Sequence, residues 1–244
     1  MNDSISYPIR LQSYLAKCGL GSRRGCEKLI TDGLVAINGT IVTELGVKVN
    51  EHDSVRCEGK DVYPFKPVYI MLNKPEGFLS SNYDPHYEAY AIDLIDVPEK
   101  SSLFHVGRLD KESSGLMIYT NDGNLAQTLT HPSFEIEKEY LVETLQTQRF
   151  MRHAAELTGR GLEVEGVLYR FRDIKSAGRN LLSVTLTEGK NREIRNVFRY
   201  LDCSVSRLHR IRIGNLLLGD LRSGSFRKIS RDEAYALTIG EHTL

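Results

Sequence analysis

The segment His105-Val106-Gly107-Arg108-Leu109-Asp110-Lys111-Glu112-Ser113-Ser114-Gly115-Leu116 is the densest grouping of reactive side chains in this 244-residue chain. Asp110 stands between Gly107 and Gly115, two serines follow it, and apolar residues flank the segment on both sides. That pattern describes a loop presented by a rigid sheet, a favoured place for a catalytic group. A carboxylate so placed can act as nucleophile or as general base. An aspartate in a turn more often closes or caps that turn, and spacing alone does not single out Asp110 among the acids.

A second grouping is Glu188-Gly189-Lys190-Asn191-Arg192-Glu193-Ile194-Arg195. Its Gly-Lys pair lacks the Gly-x-x-x-x-Gly-Lys-Ser/Thr spacing of a phosphate loop. Arg192, Arg195 and Arg199 recur at i, i+3 and i+7, which makes them one stripe of a helix expected over 191–200. Such a stripe is a solvated face, or a cationic surface for phosphates or for a buried carboxylate. Tyr140 follows Glu137-Lys138-Glu139 at the opening of a strand, where a tyrosine is usually core or interface. The seven histidines show no ligand spacing and the four cysteines make no Cys-x-x-Cys pair, so no metal is expected.

These groups need elements to position them. Leu11, Leu15 and Ala16 mark a first helix, stopped by Gly19-Leu20-Gly21. Ser22 caps a second, over 23–31, and Asn38-Gly39 joins 35–37 to 40–42 as a tight hairpin. Short strands follow at Val47, Val49, Val55 and Cys57. Two prolines in Tyr63-Pro64-Phe65-Lys66-Pro67 resist helix and central strand, so a linker over 63–67 separates domains 1–62 and 68–244. Beyond it, strands are expected at 68–72, 106, 116–119, 139–142, 169–174 and 182–186, and helices at 123–130, 149–157 and 191–200. Strands dominate and helices interrupt them irregularly, which predicts an α+β domain on a mostly antiparallel sheet.

The net charge is zero, from 32 Lys+Arg and 32 Asp+Glu. It is a sum of opposed segments: −6 over 61–135 and +8 over 190–231. A zero total therefore excludes a uniformly basic, non-specific RNA binder without excluding RNA. With 41% hydrophobic residues the chain can form a packed core. No stretch has the roughly 18 apolar residues of a membrane span, and Met1-Asn2-Asp3-Ser4 has no leader character. The cysteines read as reduced thiols of a cytoplasmic protein, and the absence of an obvious interface helix predicts a monomer.

Arg10, Lys17, Arg23, Arg24 and Lys28 lie on or beside the first two helices against one acid, Glu27, a candidate face for RNA backbone. Arg10-Leu11-x-x-Tyr14-Leu15-Ala16, Gly19-x-x-Ser22-Arg23-Arg24, Leu29-Ile30-x-x-Gly33-x-Val35 and Asn38-Gly39 resemble an S4 RNA-binding domain, with Cys26 where a smaller residue is usual. Further along stand, in order, Asn73-Lys74-Pro75-x-Gly77, Gly107-Arg108-Leu109-Asp110-x-x-Ser113-Ser114-Gly115-Leu116, Thr120-Asn121-Asp122-Gly123, Lys138-x-Tyr140, Glu188 to Arg195, and Arg207-Leu208-x-Arg210-x-x-x-Gly214. Six ordered motifs over nearly the whole chain resemble the ribosomal RNA pseudouridine synthases of the branch holding small-subunit synthase A and large-subunit synthases B, E and F. Departures are small: Asn196-Val197 after Arg195, and Tyr90-Ala91 for a pair that usually includes Thr.

The resemblance implies isomerisation of a uridine in ribosomal RNA without metal, cofactor or energy source. It matches Asp110 to the essential aspartate, Tyr140 to the tyrosine that stacks on the base, and Arg195 to the cation that pairs with the aspartate. Arg108 is the candidate to fill the stack that a flipped nucleotide vacates. Lys190 and Arg192 join the RNA-binding set. The competing expectations are a non-catalytic ribosome-assembly factor on the same fold, and an RNA glycosidase that releases free uracil.

Overall fold

A computed structural model of the chain describes residues 6–81 and 89–237. The Met1–Ser4 stretch, His86 and His242 lie outside the described residues. The chain divides into two compact units. The first runs to Val68 and takes in Asp96–Phe104 and Thr120–Asp122, and the second holds the remainder. Residues 62–68, with the two prolines, form neither helix nor strand.

The first unit contains β1 (Ile9–Arg10), α1 (Leu11–Lys17), α2 (Arg23–Thr31), β2 (Val35–Ile37), β3 (Thr40–Val42), β4 (Lys48–Val49), β5 (Val55–Cys57) and β6 (Lys60–Asp61). The Ser22 hydroxyl caps α2 by accepting from the Gly25 amide at 3.1 Å. Asn38 and Gly39 both take left-handed φ, as the hairpin turn between β2 and β3 requires. Leu11 and Leu15 of α1 and Cys26 and Ile30 of α2 pack on Val35, Val49 and Val55. All four cysteines are unpaired. Burial pushes the Cys18 thiol up to about 12 and that of Cys26 to about 11, so neither is a thiolate nucleophile at neutral pH.

The second unit is built from β7 (Tyr69–Lys74), β8 (Phe104–Val106), β9 (Ser114–Thr120), α3 (Gly123–Thr130), β10 (Lys138–Glu143), α4 (Thr147–Met151), α5 (Ala154–Thr158), β11 (Leu162–Val164), β12 (Val167–Tyr169), β13 (Asp173–Gly178), β14 (Leu181–Leu186), α6 (Glu193–Tyr200), β15 (Arg207–Ile213), β16 (Leu216–Leu217), β17 (Phe226–Ile229) and α7 (Arg231–Ala236). Its main sheet runs β13-β14-β10-β15-β9-β7-β17, with β8 beside β9 and β16 beside β15. Strand β15 is parallel to β9, whereas the β10–β14, β10–β15, β13–β14 and β7–β17 pairs are antiparallel. The unit is therefore α+β, on a largely antiparallel sheet.

Every residue of β7 and β9 is buried, so these strands form the middle of the unit. One apolar cluster joins Met71, Leu116 and Ile118 to Leu125 and Leu129 of α3. A second joins Val142, Leu182 and Val184 to Val197 and Phe198 of α6, where the Phe150 and Phe198 rings stack at 3.7 Å. Three elements differ from the pattern. The helix expected over 149–157 is two short ones, α4 and α5. The strand expected over 169–174 breaks between β12 and β13, because Phe171 is drawn into the core and its amide donates to the Leu157 carbonyl at 3.0 Å. Helix α6 starts at Glu193, two residues late.

Candidate active site

The loop 107–113 leaves β8 and enters β9, and three devices pin its main chain from below. Lys74, at the end of β7, is 0% exposed, and its ammonium donates to the carbonyls of Pro75 (3.0 Å), Asp110 (3.2 Å) and Ser113 (2.6 Å). The Ser80 hydroxyl donates to the Leu109 carbonyl at 2.6 Å and accepts from the Leu109 amide at 3.0 Å. The Gly77 amide donates to the Lys111 carbonyl at 2.8 Å. Burial drives the Lys74 ammonium down to about 8, against the pull of Glu76 and Asp110, so it remains largely protonated at neutral pH.

Gly115 closes the loop where β9 runs parallel to β15, in register with Arg210. A Cβ at Gly115 would collide with the main chain of Arg210, and φ there is +109°. The motif thus needs glycine at this position for close strand approach as well as for backbone freedom. The crossing also fixes Arg210, whose Nε donates to the Leu116 carbonyl at 2.8 Å.

Above the loop opens a cleft of about 450 Å³. Val106, Ile118, Leu129 and Ile213 give it apolar walls, and Asp110, Lys138, Tyr140 and Arg210 line it with polar groups. Tyr140 is half-buried, and its hydroxyl accepts from Arg210 Nη1 at 3.4 Å. Arg108 is exposed at the rim.

The cation that reaches the Asp110 carboxylate is Arg192, not Arg195. Arg192 Nη1 lies 3.5 Å from Asp110 Oδ2 and 2.8 Å from Glu112 Oε2. Arg195 donates instead to the Glu112 carbonyl at 3.0 Å and approaches the Ser113 hydroxyl at 3.5 Å. Arg192 caps α6 with a left-handed φ of 48°, outside the helix, which breaks the expected 192/195/199 stripe and separates the directions of its first two members. The Arg192 guanidinium holds the Glu112 carboxyl below its usual range. Beside it, Glu193 is 3% exposed and accepts from the Lys190 amide at 3.1 Å. Burial pushes the Glu193 carboxyl up to about 7.

The proposed RNA contacts divide into two sets. Arg10, Arg23, Arg24 and Lys28 are exposed on the first unit. Lys17 is half-buried, and its ammonium donates to the Asn121 carbonyl at 3.2 Å, so it is not a free surface cation. Lys190 is likewise engaged, with Glu188 at 2.6 Å and with the Leu168 carbonyl at 2.8 Å. Sequence reasoning passed over Lys74 and Arg210 as actors. Both stand inside the motifs named above, where the signal is a lysine closing an apolar strand and an arginine alternating with apolar residues in another. Among the described residues no His, Cys, Asp and Glu grouping is disposed to hold a metal ion, and no helix is long and apolar enough to cross a membrane.

Comparison with known proteins identifies the family of each domain. The profile of a family described as RNA pseudouridylate synthase matches residues 68–200, and that of the S4 domain matches residues 9–55. A protein of Aquifex aeolicus described as an uncharacterized RNA pseudouridine synthase is 38% identical over 234 residues, 92% of either chain. The ribosomal large subunit pseudouridine synthase B of Bacillus subtilis is 33% identical over 241 residues, covering 96% of this chain and 97% of that protein. A crystal structure of a pseudouridylate synthase superposes with a TM-score of 0.66 at 28% identity, over 94% of this chain and 99% of the other.

Proposed function

The chain belongs to the RNA pseudouridylate synthase family and carries an S4 domain, and we propose that it converts one uridine of ribosomal RNA to pseudouridine. It does so as a monomer in the cytoplasm. The observation that carries the assignment is Asp110 on a pinned loop in the same cleft as Tyr140. The name of the Bacillus relative favours large-subunit RNA as the substrate.

In this reading the target nucleotide leaves its helix, at about a few kcal/mol of unstacking, and Arg108 fills the vacated stack. Tyr140 supports the face of the flipped base. Asp110 is the catalytic residue, acting on the sugar either at its anomeric carbon or by removing the neighbouring proton. Both routes need an ionised and oriented carboxylate, and Arg192 supplies the adjacent positive charge. Arg195 is a positioning residue, since its guanidinium holds the loop main chain. Arg10, Arg23, Arg24 and Lys28 contact RNA phosphates, with Lys17 and Lys190 serving mainly to fix local structure.

Mapping pseudouridine in both ribosomal RNAs tests this, in cells with the gene, without it, and with Asp110→Asn. The expected result is one position lost in both altered strains. If no position changes, the synthase assignment fails. An assembly defect cured by Asp110→Asn with no change in modification would favour the non-catalytic factor, and release of free uracil would favour a glycosidase.

A further inference from the structure

Two cations in the cleft have no task in the reaction as described so far. Lys138 and Tyr140 are two residues apart on β10 and share one face of the strand. Across from them Lys138 pairs with Ile213, Glu139 with Arg212 and Tyr140 with Arg210, so the ladder shifts between Glu139 and Tyr140 and leaves Ile211 as an extra residue. A bulge of this kind re-aims side chains. Arg212 turns from the cleft and meets Glu139 at 2.8 Å and Glu137 at 3.0 Å. Arg210 lines the cleft and, among the described residues, meets no carboxylate.

Arg210 is 3% exposed, and its Nη2 has no hydrogen-bond partner among the described residues. Among the described residues the Lys138 ammonium donates to a single carbonyl, that of Thr187 at 3.3 Å. The carboxylate that Lys138 feels from α6 is Glu193, whose own burial raises it to about 7 and so dilutes its charge at neutral pH. Two carboxylates line the cleft itself, and each is answered elsewhere: Asp110 is faced by Arg192, and Glu188 pairs with Lys190 at 2.6 Å. Two neighbouring cations so weakly answered are costly in a folded protein, and they favour an incoming anion. Burial, together with the charge of Arg210, lowers Lys138 to about 8.

The proposed reaction supplies such an anion. Breaking the bond from N1 to the sugar leaves its electron pair on the base, so uracil departs as an anion with charge on N1, O2 and O4. C5 of the rotated base then bonds the anomeric carbon, the C5 proton is lost and N1 gains one, which balances atoms and charge without any co-reactant. We propose that Lys138 and Arg210 form an anion site for the departing uracil, donating to its carbonyl oxygens while Tyr140 bounds its face. This rests on the isomerase assignment. It makes both cations catalytic residues, acting where charge develops.

The test uses the full chain with Lys138→Gln and Lys138→Arg, because Lys138 is half-buried and holds one carbonyl whereas Arg210 ties two strands together. Single-turnover cleavage of the N-glycosidic bond and the Kd are measured on ribosomal RNA fragments carrying uridine or 5-fluorouridine at the target. Fluorine makes the base a better leaving anion, so it needs less help. Lys138→Gln should slow the uridine reaction about 100-fold or more, leave Kd within about threefold, and lose at least tenfold less on 5-fluorouridine. Lys138→Arg should recover most of the rate. Equal losses on the two RNAs overturn the proposal, as does a defect confined to Kd, which would place an RNA phosphate on the pair instead. A Lys138→Arg chain that folds but is as slow as Lys138→Gln also counts against it. If the wild-type chain made no pseudouridine in any ribosomal RNA, the isomerase assignment itself would fall, which is a different result.

Discussion

The two units use positive charge in opposite ways. In the first, Arg23, Arg24 and Lys28 stand exposed on a short capped helix. In the second, Lys74, Arg195 and Arg210 donate to main-chain carbonyls, and two of the three are buried. Exposed cations meet phosphates through a screened, salt-dependent attraction that carries no geometry. Buried cations can fix a loop to within a fraction of an ångström, at the expense of desolvation. On the proposed function, one chain separates holding RNA from shaping the reaction, and the two kinds of cation should fail in different ways.

The largest expected effect lies at the tightest point of the second unit. Gly115→Ala should cost about 4 kcal/mol or more, since its Cβ meets the Arg210 main chain. Gly39→Ala, at φ +83° in an open turn of the first unit, should cost about 1–2 kcal/mol. Urea unfolding of both variants checks the contrast, and equal losses would erase it. Next comes pH. The folded carboxyl of Glu193 is raised from 4.5 to about 7, so the folded chain holds its proton where the unfolded chain has released it. Its contribution to stability is full below about 4.5 and is lost as pH rises to about 7. Glu193→Gln should remove that slope, a relative gain on the order of 1–3 kcal/mol at pH 8, read from Tm against pH in the two proteins. Parallel profiles would mean that the surroundings of Glu193 are wetter than its burial indicates. The smallest effect on folding belongs to Arg23→Gln/Arg24→Gln/Lys28→Gln, within about 0.5 kcal/mol of wild type. For that variant the slope of log affinity against log salt should flatten by about 2–3, as a Kd series in KCl would show.

Legibility in the sequence followed the range of the forces involved. Ser22 and Asn38-Gly39 act within a few residues, and the helix and hairpin of the first unit lie where those signals put them. The loop around Asp110 was visible from its bracketing glycines and the apolar runs beside it. Arg192 was misplaced because a helical repeat counts residues and does not reveal a left-handed φ at the helix entry. The break at Phe171 depends on a core provided by Leu157 and more distant residues, which no local window contains. Lys74 and Arg210 act on carbonyls about 40 and 94 residues away, so their tasks exist only once the sheet has assembled.

Ile211, the extra residue in β15, gives this strand a parity. Along a regular strand, positions two apart look the same way, and Arg210 and Arg212 would share a surface. The single added residue divides them, one toward the cleft and one toward the two glutamates. Deleting that one residue would leave a regular antiparallel ladder with the same pairs, Glu139 with Arg212 and Tyr140 with Arg210, and the two arginines would still look to opposite faces. The extra residue thus lets two arginines that stand two apart in the sequence serve opposite faces of one sheet.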